Sequence, residues 1–311
     1  MFQIRRLLPL VCYTVVLLLV GCKDAKPVRT IEPLNNDWGF VLGDDETYSS
    51  EAYDDSAWRR LDLPHDWSSE HTAQVDSLAQ QGCDSLCGEI GWYRKYFTTP
   101  KHMSKVINLE FSGVYMNSTV YVNGIRVGHS PYGNTSFSYD VTHFLHKTGM
   151  RNLIAVRCDN SLQNDAYCYD GCGICGGVRM VVTNNIYVET SLTRITTSDV
   201  SDHSAMVHAV VTITNKGSKR QSVMLVNTIH DADGKRERKS EIKKSVKAGE
   251  SIEVEMAMQI PNPIVSNDNT DYMYELRSAI EIENSEVDVS TTKFTIRRDA
   301  EYVEDGVETV E

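Results

Sequence analysis

The stretch Thr119-Val120-Tyr121-Val122-Asn123-Gly124-Ile125-Arg126-Val127 decides the fold class. Two strand-like runs flank Asn123-Gly124. A two-residue type I′ turn needs positive φ at both central positions, and Asn followed by Gly tolerates that best. The stretch therefore predicts a β-hairpin. On its N-terminal side, Ile107, Leu109 and Phe111 alternate with Asn108 and Glu110. That is the period of a strand with one buried face. On its C-terminal side, Leu153 to Cys158 reads as another strand. Asp140 to His146 reads as one capped turn of helix, and no long segment has helical periodicity.

Around residue 187 the texture changes. Ala205–Thr214, Ser222–His230, Ser251–Ile260, Tyr272–Ile282 and Val289–Arg297 are β-rich runs separated by polar turns such as Asn215-Lys216-Gly217 and Asp231-Ala232-Asp233-Gly234. Roughly seven short strands in ~110 residues fit an immunoglobulin-like β-sandwich. The chain has 311 residues, enough for about two domains that each bury a core. A net charge of -12 argues against duplex nucleic acid as a partner.

The first 22 residues carry a different signal. Arg5 and Arg6 precede an apolar run from Leu7 to Val20, shorter than the about 20 residues that a comfortable membrane span needs. It ends in Leu19-Val20-Gly21-Cys22, which resembles a bacterial lipobox with Cys22 as the acylated residue. Acyl chains supply roughly 0.8 kcal/mol per buried CH₂ and would hold the protein to a membrane. The expectation is a lipoprotein of the cell envelope, at the outer membrane and either surface-exposed or periplasmic. Residues 1–22 are read as signal peptide and 23–31 as a tether. Residues 299–311 carry six acids and no base and read as an acidic tail.

Several segments resemble the N-terminal sugar-binding jelly roll of family 2 glycoside hydrolases. In family order they are Leu63-Pro64-His65-Asp66-Trp67, Gly91-Trp92-Tyr93-Arg94-Lys95-Tyr96-Phe97, Phe111-Ser112-Gly113-Val114-Tyr115, Val122-Asn123-Gly124, Ile154-Ala155-Val156-Arg157, Asp159-Asn160-Ser161 and Gly171-Cys172-Gly173-Ile174. The likeness is to the β-galactosidase branch common in Bacteroidetes. Pro261-Asn262-Pro263, Tyr272-Met273-Tyr274-Glu275-Leu276 and Phe294-Thr295-Ile296-Arg297 resemble the family's immunoglobulin-like domain. Two departures stand there: Ile264-Val265-Ser266 where a Trp is usual, and Thr295 where a Gly is usual. The resemblance implies an all-β chain. It would comprise a galactose-binding-like jelly-roll β-sandwich over 32–186, followed by an immunoglobulin-like β-sandwich over 187–298.

In the family a (β/α)₈ barrel follows, with two catalytic glutamates. A retaining glycosidase needs its carboxyls about 5–5.5 Å apart, and a barrel takes about 250 residues. Only 13 residues lie beyond Arg298, and no Asn-Glu dipeptide occurs. No catalytic residue and no cofactor is therefore assigned. The implied role is scaffolding and binding of a β-galactoside-type glycan beside a separate barrel domain. A second reading is a stand-alone envelope lipoprotein that binds glycan or a partner protein without hydrolysis.

By resemblance, the loop before Gly171 reaches the active site of the full enzyme. Here Asp165, Tyr167, Tyr169 and Asp170 supply hydroxyl partners and aromatic faces for a sugar, although Tyr167-Cys168 replaces the family's usual Arg-Trp. His65-Asp66 is read as a structural corner with Trp67 in the core, because neighbours on one β segment point to opposite faces. Beyond Cys12 and Cys22 six cysteines remain. Cys83, Cys87, Cys168, Cys172 and Cys175 are disulfide candidates in an exported chain, and Cys158 reads as a buried thiol. Unpaired thiols and a metal site built on Cys172-x-x-Cys175 and Cys83-x-x-x-Cys87 stay open as alternatives.

Overall fold

The structure is a computed structural model that describes residues 28–72, 89–100, 106–133, 135–161, 171–267 and 271–298. It is all-β, and every strand pairing is antiparallel. Two sandwiches follow one another along the chain, each around its own apolar core.

The first sandwich faces a four-stranded sheet against a six-stranded one. The four-stranded sheet runs β1 (Thr30–Pro33), β10 (Val178–Thr183), β5 (Val106–Phe111), β8 (Phe137–Asp140). The other runs β3 (Arg59–Leu61), β2 (Trp38–Leu42), β4 (Ile90–Thr98), β9 (Arg151–Asp159), β6 (Ser118–Val122), β7 (Ile125–Ser130). The hairpin β6–β7 turns at Asn123 (φ 52°) and Gly124 (φ 80°), both in the left-handed region a type I′ turn requires. Asn123 also ties the turn to β9. Its backbone N–H donates to Leu153 O at 2.9 Å, and its side-chain oxygen accepts from Leu153 N at 2.8 Å.

Alternation sorts the side chains of the six-stranded sheet. Tyr93, Phe97, Val120, Val122, Ile154, Val156 and Cys158 enter the main core. Trp92, Arg94, Tyr121, Ala155 and Arg157 take the outer face. Residues 44–58 fold back over part of that face and make a satellite core of Trp58, Trp92 and Ala155. Arg94, fully buried, staples this excursion. Its guanidinium donates to Asp55 Oδ2 at 3.2 Å, to the carbonyls of Tyr48, Ser50 and Tyr53, and to the Tyr96 hydroxyl at 3.0 Å. A buried charge is tolerable only when paired and hydrogen-bonded, as this one is.

The second sandwich comprises β11 (Ile186–Val188), β12 (Arg194–Ser198), β13 (Ser204–Asn215), β14 (Gln221–His230), β15 (Arg236–Val246), β16 (Ser251–Pro261), β17 (Met273–Ile282) and β18 (Ser285–Thr295). β13 is flanked by β16 on one side and by β11 and β12 on the other. The facing sheet runs β15-β14-β17-β18. Val254, Met256, Met258 and Ile260 alternate inward along β16.

Two expectations change. β5 is buried on both faces, not one, because Tyr187 reaches the polar side and hydrogen-bonds Asn108, while Arg179 pairs with Glu110 at 2.6 Å. Residues 29–31, read as the end of a tether, are built in. Thr30 and Ile31 pair with Val182 and Val181, and Arg29 is buried against β18. The helical turn after Asp140 is a short 3₁₀ segment, Thr142–Phe144.

Candidate functional site

The recognised segments of the first sandwich, distant in sequence, meet at one corner. Asp66 is its hub. Its Oδ1 accepts from Cys172 N at 2.8 Å, from Ser68 N at 2.9 Å and from the Ser68 hydroxyl at 2.6 Å. The bond to Ser68 N caps the short helix α1 (Trp67–Thr72). On either side of Asp66, His65 N donates to Ile174 O at 2.9 Å and Trp67 N to Cys172 O at 3.1 Å. From the opposite edge, Tyr115 and Gly173 exchange two backbone bonds, each 2.7 Å, and Gly176 N donates to Gly113 O at 3.0 Å. Segment 171–177 is thus laced on both sides, like a strand inserted between two others.

Glycine is required where this segment passes the core. Gly173 has φ 111°, and a Cβ there would stand 2.2 Å from the Tyr93 hydroxyl. A Cβ on Gly91 would enter the Trp67 ring at 2.6 Å. Trp67 lies fully buried, stacked on Phe40 at 5.7 Å.

His65 joins a chain of polar groups. Its Nδ1 lies 2.7 Å from the Tyr93 hydroxyl and its Nε2 3.1 Å from Glu70 Oε1, and Arg59 clasps the Glu70 carboxylate. The hydrogen bond from Arg59, aided by the one from His65, draws Glu70 down to about 2. Burial outweighs Glu70 and lowers His65 below its ordinary value. Neutral His65 then donates from Nε2–H to Glu70, so its Nδ1 accepts the Tyr93 proton. Burial raises Tyr93 well above the usual phenol range. Each proton has a fixed place and the ring is shielded, so the chain braces the corner and offers no general base. The reading of His65-Asp66-Trp67 as structural is what this geometry describes.

The loop residues expected to touch sugar, Asp165, Tyr167, Tyr169 and Asp170, lie outside the described residues, as do Cys22, Cys83, Cys87 and Cys168. The corner holds the base from which that loop's far end emerges, at Gly171. Cys172 is fully buried there. Cys175, a disulfide candidate from the sequence, carries a free thiol, as does buried Cys158. Burial first and the Asp66 carboxylate next push Cys175 up to about 11, and burial raises Cys158 well above its ordinary value. Both stay protonated and unreactive at neutral pH. Among the described residues no three His, Cys, Asp or Glu side chains gather as a metal site.

The same two sandwiches recur in known proteins. Residues 53–164 match the family described as Beta-galactosidase second all-beta domain, and residues 187–297 match Glycosyl hydrolases family 2. The chain belongs to glycoside hydrolase family 2. The β-galactosidase BoGH2A of Bacteroides ovatus is 34% identical over 282 residues, which is 90% of this chain and 33% of that protein. A putative β-glucuronidase of Formosa agariphila is 40% identical over 197 residues, 61% of this chain and 19% of that protein. Among solved structures, a family 2 member from Bacteroides cellulosilyticus superposes with TM-score 0.72 at 28% identity, covering 86% of this chain and 35% of that one. A family 2 β-glucuronidase superposes with TM-score 0.74 at 25% identity, covering 88% and 31%. The chain spans about a third of the length of the Bacteroides ovatus relative. Family 2 proteins bind carbohydrate substrates, and their full-length members carry a separate catalytic domain.

Proposed function

We propose that these residues form the non-catalytic N-terminal part of a β-galactosidase-like family 2 protein, where they scaffold a barrel and shape its glycan entrance. The observation that carries this is the match of both sandwiches to relatives about three times as long. The two units are those expected over 32–186 and 187–298, with Thr30 and Ile31 joining the first through β1 and Ile186 the second through β11. The loop 164–170 belongs to the same reading. Asp165, Tyr167, Tyr169 and Asp170 carry sugar-contact chemistry directly before the braced corner. A neutral β-galactoside-type glycan is the substrate class that fits the likeness to a β-galactosidase. A chimera tests the scaffold role. These residues replace the matched segment of the Bacteroides ovatus relative, and the expected result is a folded chimera that retains β-galactosidase activity. A folded chimera without activity would count against it.

Leu19-Val20-Gly21-Cys22 supports anchoring at the envelope through an acylated Cys22. Cys22→Ser is expected to move the protein from the membrane to the soluble fraction. Unchanged membrane association would refute that part.

A further inference from the structure

Among the described residues, the excursion 44–58 leaves one part of the six-stranded sheet's outer face uncovered. A groove of about 310 Å³ lies there, over β4, β9, β6 and β7. Pairing fixes what lines it. Trp92 stands opposite Arg157, Arg157 opposite Thr119, and Thr119 opposite His129, so the four form one row across the strands. In the next row Ala155 stands opposite Tyr121, and Tyr121 opposite Arg126. Trp92 and Tyr121 stack with centroids 5.6 Å apart at 24°. Trp92 is buried, whereas Tyr121 is only half-buried and lines the groove.

One wall is rigid. Arg157 holds Asp44 through Nε–Oδ1 at 2.7 Å and Nη2–Oδ2 at 2.8 Å, and Asp159 through Nη1 at 2.9 Å. Trp92 Nε1 donates to the same Asp44 at 3.2 Å. The other polar groups are uncommitted. Among the described residues the side chains of Glu46, Asn117 and Arg126 make no hydrogen bond, and His129 spends only Nδ1, on Thr119 at 3.3 Å. A half-buried aromatic ring with an amide, a carboxylate, a guanidinium and an imidazole around it offers C–H packing plus both donors and acceptors. The lining charges cancel: Asp44 and Glu46 against Arg126 and Arg157. An anion or a cation gains nothing there, while a neutral ligand dense in hydroxyls can use every group. The volume sits at the small end of ligand sites, about 300–1,000 Å³.

We propose that this groove is a second carbohydrate site, which takes a neutral hexose unit of a glycan with its ring on Tyr121 and its hydroxyls on Arg126, Asn117, Glu46 and His129. The proposal rests on the reading of the chain as the glycan-handling part of a family 2 protein, and it is built from residues other than those of the segment 164–170. The shallow, hydrated setting makes it a weak site that serves by retention near the surface.

The test is calorimetric titration of the full 311-residue chain with lactose, with cellobiose and with glucuronic acid. Saturable binding of a neutral disaccharide is expected, with glucuronic acid weaker. Tyr121→Ala and Arg126→Ala are each expected to weaken it by roughly tenfold. Arg126 is exposed and unpaired among the described residues, so Arg126→Ala keeps the test valid if Tyr121→Ala fails to fold. Unchanged affinity in the folded variants would overturn the groove and leave the family reading intact. Preference for glucuronic acid, or no binding of either disaccharide, would also overturn it. The scaffold role is decided separately by the chimera.

Discussion

Arg29 and Asp288, 259 positions apart, meet as a two-pronged buried pair. Nε lies 3.0 Å from Oδ1 and Nη2 lies 2.8 Å from Oδ2. Arg29 also donates to Val188 O at 2.6 Å and to the Thr190 hydroxyl at 2.5 Å, while Asp288 accepts from Val188 N at 2.8 Å. The residue before β1 of the first sandwich is thereby fastened to β18 of the second. Lys216 of the second sandwich adds an ion pair to Asp140 of the first at 3.2 Å. The joint fastens the two sandwiches to each other, as the proposed scaffold role requires.

Breaking a buried ion pair by removing one partner leaves an uncompensated charge and costs about 3–5 kcal/mol. Arg29→Ala is therefore expected to lower the unfolding free energy by about that amount. Denaturation followed by circular dichroism reads it. The exposed pair Arg194–Glu253 is the control, and Arg194→Ala is expected to cost under about 1 kcal/mol.

Asp66→Ala removes an acceptor that serves three donors. A hydrogen bond to a charged group contributes about 1.5–3 kcal/mol. The expected loss is about 2–4 kcal/mol, with faster exchange of the Cys172 amide hydrogen. Unchanged exchange at Cys172 would show that the corner does not depend on Asp66.

Gly173→Ala puts a methyl group against the Tyr93 hydroxyl at a φ of 111°. It is expected to cost more than about 3 kcal/mol. Gly234→Ala, at φ 78° with open space around it, is expected to cost only about 1 kcal/mol. Melting temperatures of the two variants separate close packing from backbone conformation alone.

The polar chain at His65 gives stability an acid limb. Glu70 is depressed in the fold, so its contribution is present above its ordinary value of 4.5 and fades as pH falls toward about 2. His65 is also depressed, so protonation in the unfolded chain begins to erode stability once pH falls below 6.5. Urea midpoints are expected to fall from pH 7 to pH 3, and Glu70→Gln is expected to flatten the part below 4.5. An equally steep acid limb in Glu70→Gln would contradict the assignment.

Much of the fold was legible because local rules decided it. The hairpin at Asn123-Gly124 and the inward alternation along β16 follow from turn chemistry and period. β15 was not read as a strand: Arg236–Val246 is rich in Lys, Arg and Glu. An edge strand with one covered face tolerates that, and charge there also blocks unwanted pairing. The buried polar face of β5 was not legible either, because it depends on Tyr187 arriving from the next sandwich. The motifs gave the corner's residues but not their convergence, which is a matter of long-range register. The groove at Tyr121 and Arg126 left no sequence signal, since its members come from separate strands and loops.

On the proposed function, these residues scaffold and bind without hydrolysing. The decisive assay offers aryl β-galactoside and aryl β-glucuronide to the purified 311-residue chain. The predicted result is no turnover above buffer for either substrate. Turnover that a single Asp or Glu substitution abolishes in a folded protein would contradict the claim.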